Sequence, residues 1–327
     1  MPSHWHCGAI MRNILPFKSR EEKMLDAFVE QNREPALIIV PRSADSKGGR
    51  VSKFGGLPLL SARTDWPRAP NGKPLHFLAQ IDCAELPWHG RLPETGILSF
   101  FGRDDEEQIW EADVDDPTEN CAVLYDKSAL ADRVVHQPPS DLAPIGNGLV
   151  RAAHCAPTWE EGQCTPHNCK VHIEREIEFH PKPIMTIPET IYNGKAPLAD
   201  LDGDGWVQAL RGGKSSDAAK QLALEGRLGE AFEKRRREFT RSVANDVFQK
   251  DSSSNEAFGD YSQMLGHPNT SQEAYAPMHN PICLLNVASD AATDFCFGDA
   301  GFCTFWINET DLARRDFSGV HGQLEGA

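Results

Sequence analysis

His76, Gln80 and Asp82 occupy even positions in His76-Phe77-Leu78-Ala79-Gln80-Ile81-Asp82, where Phe77, Ala79 and Ile81 take the odd ones. Alternation with period two predicts a strand that carries the three polar side chains, with Leu78, on one face. A histidine and a carboxylate oriented alike make a general base and its partner once a substrate is within reach. The same side chains also make a hydrogen-bonded polar layer between a sheet and a covering loop, the simpler expectation. No Gly-x-Ser-x-Gly elbow exists in the chain, and Cys83, directly after Asp82, faces the other way.

A second carboxylate, Asp299, lies in Gly298-Asp299-Ala300-Gly301. Glycines on both sides permit a tight turn, so Asp299 is either a ligand-binding or catalytic acid or an acceptor of backbone hydrogen bonds. The turn role is the expectation. Asp200-Leu201-Asp202-Gly203-Asp204-Gly205 opens like a calcium loop, but Arg211 stands where the bidentate Glu belongs, which points to Asp-Gly turn chemistry. Cys155, Cys164, His167, Cys169 and His172 are the densest group of soft ligands, yet their spacing fits no standard zinc pattern. His4, His6 and Cys7 fall in a polar N-terminus expected to be mobile. No metal and no cofactor is assigned.

These residues need elements to position them. Ser19 and Glu22 form a capping box ahead of a helix with Met24, Leu25, Phe28 and Val29 on one face, ending before Pro35. Strands are expected at 36–40, 76–82, 96–102, 122–125, 171–179, 282–287, 294–297 and 301–307. Residues 55–74, dense in Gly and Pro, form an ordered loop pinned by Leu57, Leu59, Leu60 and Trp66. One long helical segment spans about 216–249 with an apolar stripe from Leu224 to Val247, and Gly226 and Gly229 threaten to divide it. Its Lys234-Arg235-Arg236-Arg237 run, interleaved with Glu, reads as a salt-bridged outer face. Asn308 caps a short last helix.

The 327 residues carry 48 Asp and Glu against 33 Lys and Arg, a formal charge of −15 that disfavours nucleic acid and anionic membranes as partners. Nine of the acids crowd between Asp104 and Glu119 without a Lys or Arg, the pattern of a solvated face. No run approaches the ~20 apolar residues of a membrane helix, and the N-terminus has no signal-peptide core. Nine cysteines scattered through strand-like runs indicate a reducing compartment, hence a cytoplasmic protein.

Gly55-Gly56-Leu57-Pro58, Trp66-Pro67, Leu78-Ala79-Gln80-Ile81-Asp82, Leu92-Pro93, Leu265-Gly266-His267-Pro268, Gly298-Asp299-Ala300-Gly301, Phe305-Trp306-Ile307 and Asp316-Phe317-Ser318 together resemble the YwqG-like (DUF1963) family over about 54–318. The resemblance implies one α+β unit of mainly antiparallel sheet, bacterial and cytosolic, without an established activity. Two departures stand out: Ala288 replaces a carboxylate, and 291–295 lacks the family's Gly-Trp character. Setting 78–82 beside 284–288 suggests approximate internal duplication, with Gln80 matching Asn286.

The expected architecture is therefore a flexible 1–18, a single α+β domain over 19–321, and a tail at 322–327. That domain has mainly antiparallel sheets, one long helical segment and a few short helices. The expected function is a cofactor-independent module of immunity or regulatory type, binding a protein or small ligand in a cleft near His76, Gln80, Asp82, Asn286 and Asp299. The alternative is a hydrolase using Asp82 or Asp299 with His76.

Overall fold

The computed structural model describes residues 18, 20–42, 50–104, 121–145, 170–187, 218–248, 261–268, 278, 280–290, 295, 297 and 301–325. Helix α1 (Arg20–Gln31) leads into β1 (Glu34–Pro41), then β2 (Lys53–Phe54), β3 (Leu59–Ser61), β4 (His76–Asp82), β5 (Ile97–Gly102), β6 (Cys121–Asp126) and β7 (Arg133–Val135). After β8 (Arg175–Phe179) and β9 (Ile184–Thr186) comes α2 (Ala218–Phe248), uninterrupted at Gly226 and Gly229. The chain closes with β10 (Ser262–Leu265), β11 (Pro281–Ala288), β12 (Phe302–Asn308), α3 (Glu309–Arg314) and β13 (His321–Glu325). Asn308 caps α3 by accepting from the Thr310 N–H, as its sequence position predicts.

Every strand pairing among the described residues is antiparallel, and the fold is α+β. The main sheet has eleven strands in the order β13-β12-β11-β10-β1-β8-β2-β4-β5-β6, with β9 beside β1, while β3 and β7 make a separate ribbon. Residues 322–325, expected as a tail, are part of β13 and pair with β12. Gly322 weakens the strand signal there, and the pairing supplies what local propensity lacks. The 171–174 end of the strand expected at 171–179 is coil, and of the strand expected at 294–297 the described residues are Phe295, which makes an isolated bridge to Asp290, and Phe297, which is coil.

The sheet curls until its edge strands meet. Cys121 Sγ of β6 lies 3.4 Å from the Val320 carbonyl, and a Cβ on Gly322 of β13 would sit 2.8 Å from Cys121 Cβ, so only glycine allows this approach. The enclosed inner face buries Leu37, Ile39, Phe54, Ala79, Ile81, Phe100, Leu285, Val287, Phe295 and Phe305 in one cluster. Phe100 and Phe305, from opposite ends of the sheet, meet edge-to-face at 5.1 Å. Each such ring stabilises the fold by roughly 1.5–3 kcal/mol through burial.

The outer face is covered separately. Val243 of α2 packs on Ala36 and Ile38, and Leu25 and Val29 of α1 meet Phe232. Arg235 pairs with Asp26 across the two helices, consistent with the charged run being a salt-bridged face. At the other end the 55–75 loop lays Leu60, Ala69 and Leu75 on Phe77 and Phe101, with Trp66 edge-on to Phe101. The segment is the ordered loop its Gly and Pro content predicts except at Leu59–Ser61, which forms β3 because β7 offers it a partner.

Candidate functional site

Strand β4 does not keep the alternation its sequence displays. A β-bulge between Phe77 and Ala79 adds one residue, so Phe77 faces outward with Phe101 while Leu78, Ala79 and Ile81 all join the inner core. Gln80 and Asp82 therefore face outward, and His76 faces inward. The expectation that these three share a face fails because a period-two reading cannot detect an inserted residue. His76 and Asp82 are also six residues apart on an extended strand, about 20 Å, so they form no acid–base pair.

His76 is 1% exposed, and main-chain groups occupy both its ring nitrogens. Nδ1 accepts from the Asp104 N–H at 3.3 Å, and Nε2 donates to the Ala143 carbonyl at 2.9 Å. An N–H only donates and a carbonyl only accepts, which fixes the neutral Nε2–H tautomer. Asp104 continues the network: its Oδ2 lies 2.9 Å from His172 Nε2, both side chains almost fully enclosed. His172 packs at 4.7 Å on Phe295, which also meets Phe54 and stacks on Phe297.

Motifs far apart in the chain converge here. Gly55 and Gly56 adopt φ of +59° and +69°, and the Gly56 N–H donates to the His172 carbonyl. A Cβ on Gly55 would stand 2.3 Å from the Ile173 carbonyl oxygen, so the glycine pair lets the turn press on 172–174. From the other half, Phe295 and Phe297 belong to a loop tied to Ser289: the Phe297 N–H donates to Ser289 Oγ, and Ser289 Oγ donates to the Gly301 carbonyl. Asp299, between these anchors, lies outside the described residues, as do His4, His6, Cys7, Cys155, Cys164, His167, Cys169 and Asp200 to Asp204.

The other candidates occupy separate places. Gln80 is fully buried, its Oε1 accepting from the Leu59 N–H of the cover loop at 2.8 Å. Asp82 caps the turn Cys83–Glu85 through the Ala84 N–H, and its own N–H donates to Ser52 Oγ. Asn286 is fully buried on the outer face of β11 and donates to Thr304 Oγ1. Strands β2, β8, β1 and β10 separate β4 from β11, which places Gln80 and Asn286 about 24 Å apart along the sheet. The described members of the set, His76, Gln80, Asp82 and Asn286, thus form no common cleft. Cys83, beside Asp82, has its thiol pushed up to about 12, chiefly by burial and next by the Asp82 charge. Burial alone pushes Cys121 up to about 12.

Corresponding details recur in β10 and β11. Ser262 Oγ accepts from the Ala288 N–H as Ser52 Oγ does from Asp82. Gln263 faces Asn286 as Lys53 faces Gln80, and Thr304 faces Asn286 as Ser99 faces Gln80. Register shifts occur three residues before Gln80 and three before Asn286. Leu265 and Gly266 have φ of +61° and +65°, matching Gly55 and Gly56.

Sequence reasoning missed Asp104, the centre of the network. It heads the acidic run and shares that run's solvated pattern, although it follows the apolar strand Ile97–Gly102 by only two residues. Among the described residues, no group of three or more His, Cys, Asp and Glu could hold a metal ion, and no helix is long and apolar enough to cross a membrane. No curated protein matches the chain. The family described as "Domain of unknown function (DUF1963)" matches residues 52–325, spanning the Gly55-Gly56 turn, both bulged strands and the loop around Phe295. The chain belongs to the DUF1963 family.

Proposed function

We propose that this protein is a cofactor-independent binding module of immunity or regulatory type, acting in the bacterial cytoplasm on a protein or small ligand. The observation that carries the reading is the saturation of His76: with Nδ1 and Nε2 both held by main-chain groups, its lone pair is not offered to a substrate. Asp82 is engaged as a turn cap, and the Cys83 thiol is protonated at neutral pH. These groups organise a rigid scaffold, and a charge of −15 favours a basic macromolecular partner.

The scaffold reads as an internal duplication, β2-β4-β5-β6 answering β10-β11-β12-β13. The paired serine contacts, bulge positions and left-handed turns support this. Ala288 in place of Asp82 marks where the halves diverged.

Wild-type protein assayed against esterase, phosphatase and amidase substrates, alongside capture of partners from a bacterial lysate, tests the function. The reading expects no turnover above that of heat-denatured protein, together with a stoichiometric partner. Turnover abolished by His76→Gln in a variant that melts like wild type establishes the hydrolase instead.

A further inference from the structure

Arg103 is the most anomalous charge among the described residues. It is 6% exposed, its Nε is sealed from solvent without a hydrogen-bond partner, and no described carboxylate pairs with it. Asp104, the adjacent carboxylate, is engaged with His172. Phe101 faces outward and Gly102 pairs with inward-facing His76, so the alternation of β5 carried one residue past its end puts Arg103 on the outer side, while the Asp104 carboxylate meets His172. A sealed guanidinium nitrogen without an acceptor among the described residues is destabilising, so a chain retains one where an acceptor arrives.

The guanidinium itself requires an acceptor, and about 13 Å further along the same face stands another open donor. Gln80 Nε2 is a second buried donor without a partner. Turning the Gln80 amide over does not remove it, because Oε1 is held by the Leu59 N–H and exchange would set two donors against each other. In contrast, turning over the Asn286 amide lets Oδ1 accept from Thr304 and offers Nδ2 towards Gln263 on the paired strand, so the open oxygens there carry no comparable requirement. Both fixed, open groups on the covered face of β4 and β5 are donors.

We propose that Arg103 is the anion-recognition residue of a ligand site on the outer face of β4 and β5, at the edge of the 55–75 cover, and that its ligand presents an oxyanion, a carboxylate or phosphate. This names the chemistry of a small ligand for the binding reading above, separate from the basic macromolecular partner that the overall charge favours, and rests on that reading. A planar guanidinium takes such groups through two parallel N–H bonds, and lysine does not replace it.

Thermal melting of the full chain in phosphate, acetate and chloride at matched ionic strength tests the proposal, using wild type, Arg103→Met and Arg103→Lys. Wild type should show a saturable rise in Tm in phosphate or acetate over chloride, about 5 °C at ~100 times Kd. Arg103→Met should melt at or above wild type in chloride, since an unpaired buried charge is removed, and should not respond to either anion. Arg103→Lys should retain only a weakened response. The proposal is overturned if Arg103→Met melts several degrees below wild type in chloride, the signature of an ion pair to a carboxylate of this chain. It is equally overturned if wild type ignores both anions or Arg103→Met still responds. Such a failure leaves the hydrolase assays untouched, so the binding reading stands or falls separately.

Discussion

Replacing His76 by Leu keeps much of the side-chain volume and removes both hydrogen bonds. The Asp104 N–H and the Ala143 carbonyl then remain without their side-chain partner inside the protein. A buried main-chain group left unpaired costs about 1–3 kcal/mol, so the two together cost about 2–6 kcal/mol. For a chain of this size each kcal/mol lowers Tm by about 2 °C, giving a fall of ~4–12 °C. Guanidinium denaturation provides the cleaner assay: the midpoint should drop while the slope stays constant, because the surface exposed on unfolding hardly changes. His76→Gln, with one donor and one acceptor, should recover part of the loss. A His76→Leu midpoint equal to that of wild type refutes the assignment of this imidazole to the scaffold.

Gly55→Ala meets both a left-handed backbone penalty of about 1–2 kcal/mol and a main-chain oxygen 2.3 Å from the new Cβ, and should cost about 2–4 kcal/mol in a melt. Gly72→Ala is its control: φ is +83° but nothing lies within 4 Å of the Cβ, so only the backbone penalty of about 1–2 kcal/mol is expected. Maleimide labelling followed by peptide mass mapping should find Cys83 and Cys121 unmodified in the native protein even at pH 9. Both thiols are buried and their pKa is pushed up to about 12, so they stay protonated there, and labelling should appear only after denaturation.

Local pattern made the strands that position the network legible. Residues 76–82 and 97–102 alternate or run apolar as strands do, and the Gly55-Gly56 turn and cover loop follow from residue type alone. The facing of His76 was not legible, because the bulge at Leu78 is set by pairing with β5 and leaves no mark in the composition of β4. Asp104 and His172 were hidden for another reason. Each belongs to a local cluster that suggested its own explanation, an acidic loop and a soft-ligand group, whereas their actual partners are each other across 68 residues. Strand β10 is four residues long, too short for a periodicity to register, and is held by pairing with β1 and β11.

The scaffold role of His76 requires one protonation pattern of its ring. A two-bond proton–nitrogen correlation spectrum of 15N-labelled protein at pH 8, with His76 assigned by comparison with His76→Gln, reads the tautomer directly. The hydrogen bonds to Asp104 and Ala143 predict Nε2 protonated and Nδ1 bare. A signal from the Nδ1–H tautomer, with Nε2 bare and available as a base, would contradict the scaffold role of His76 and reopen hydrolysis.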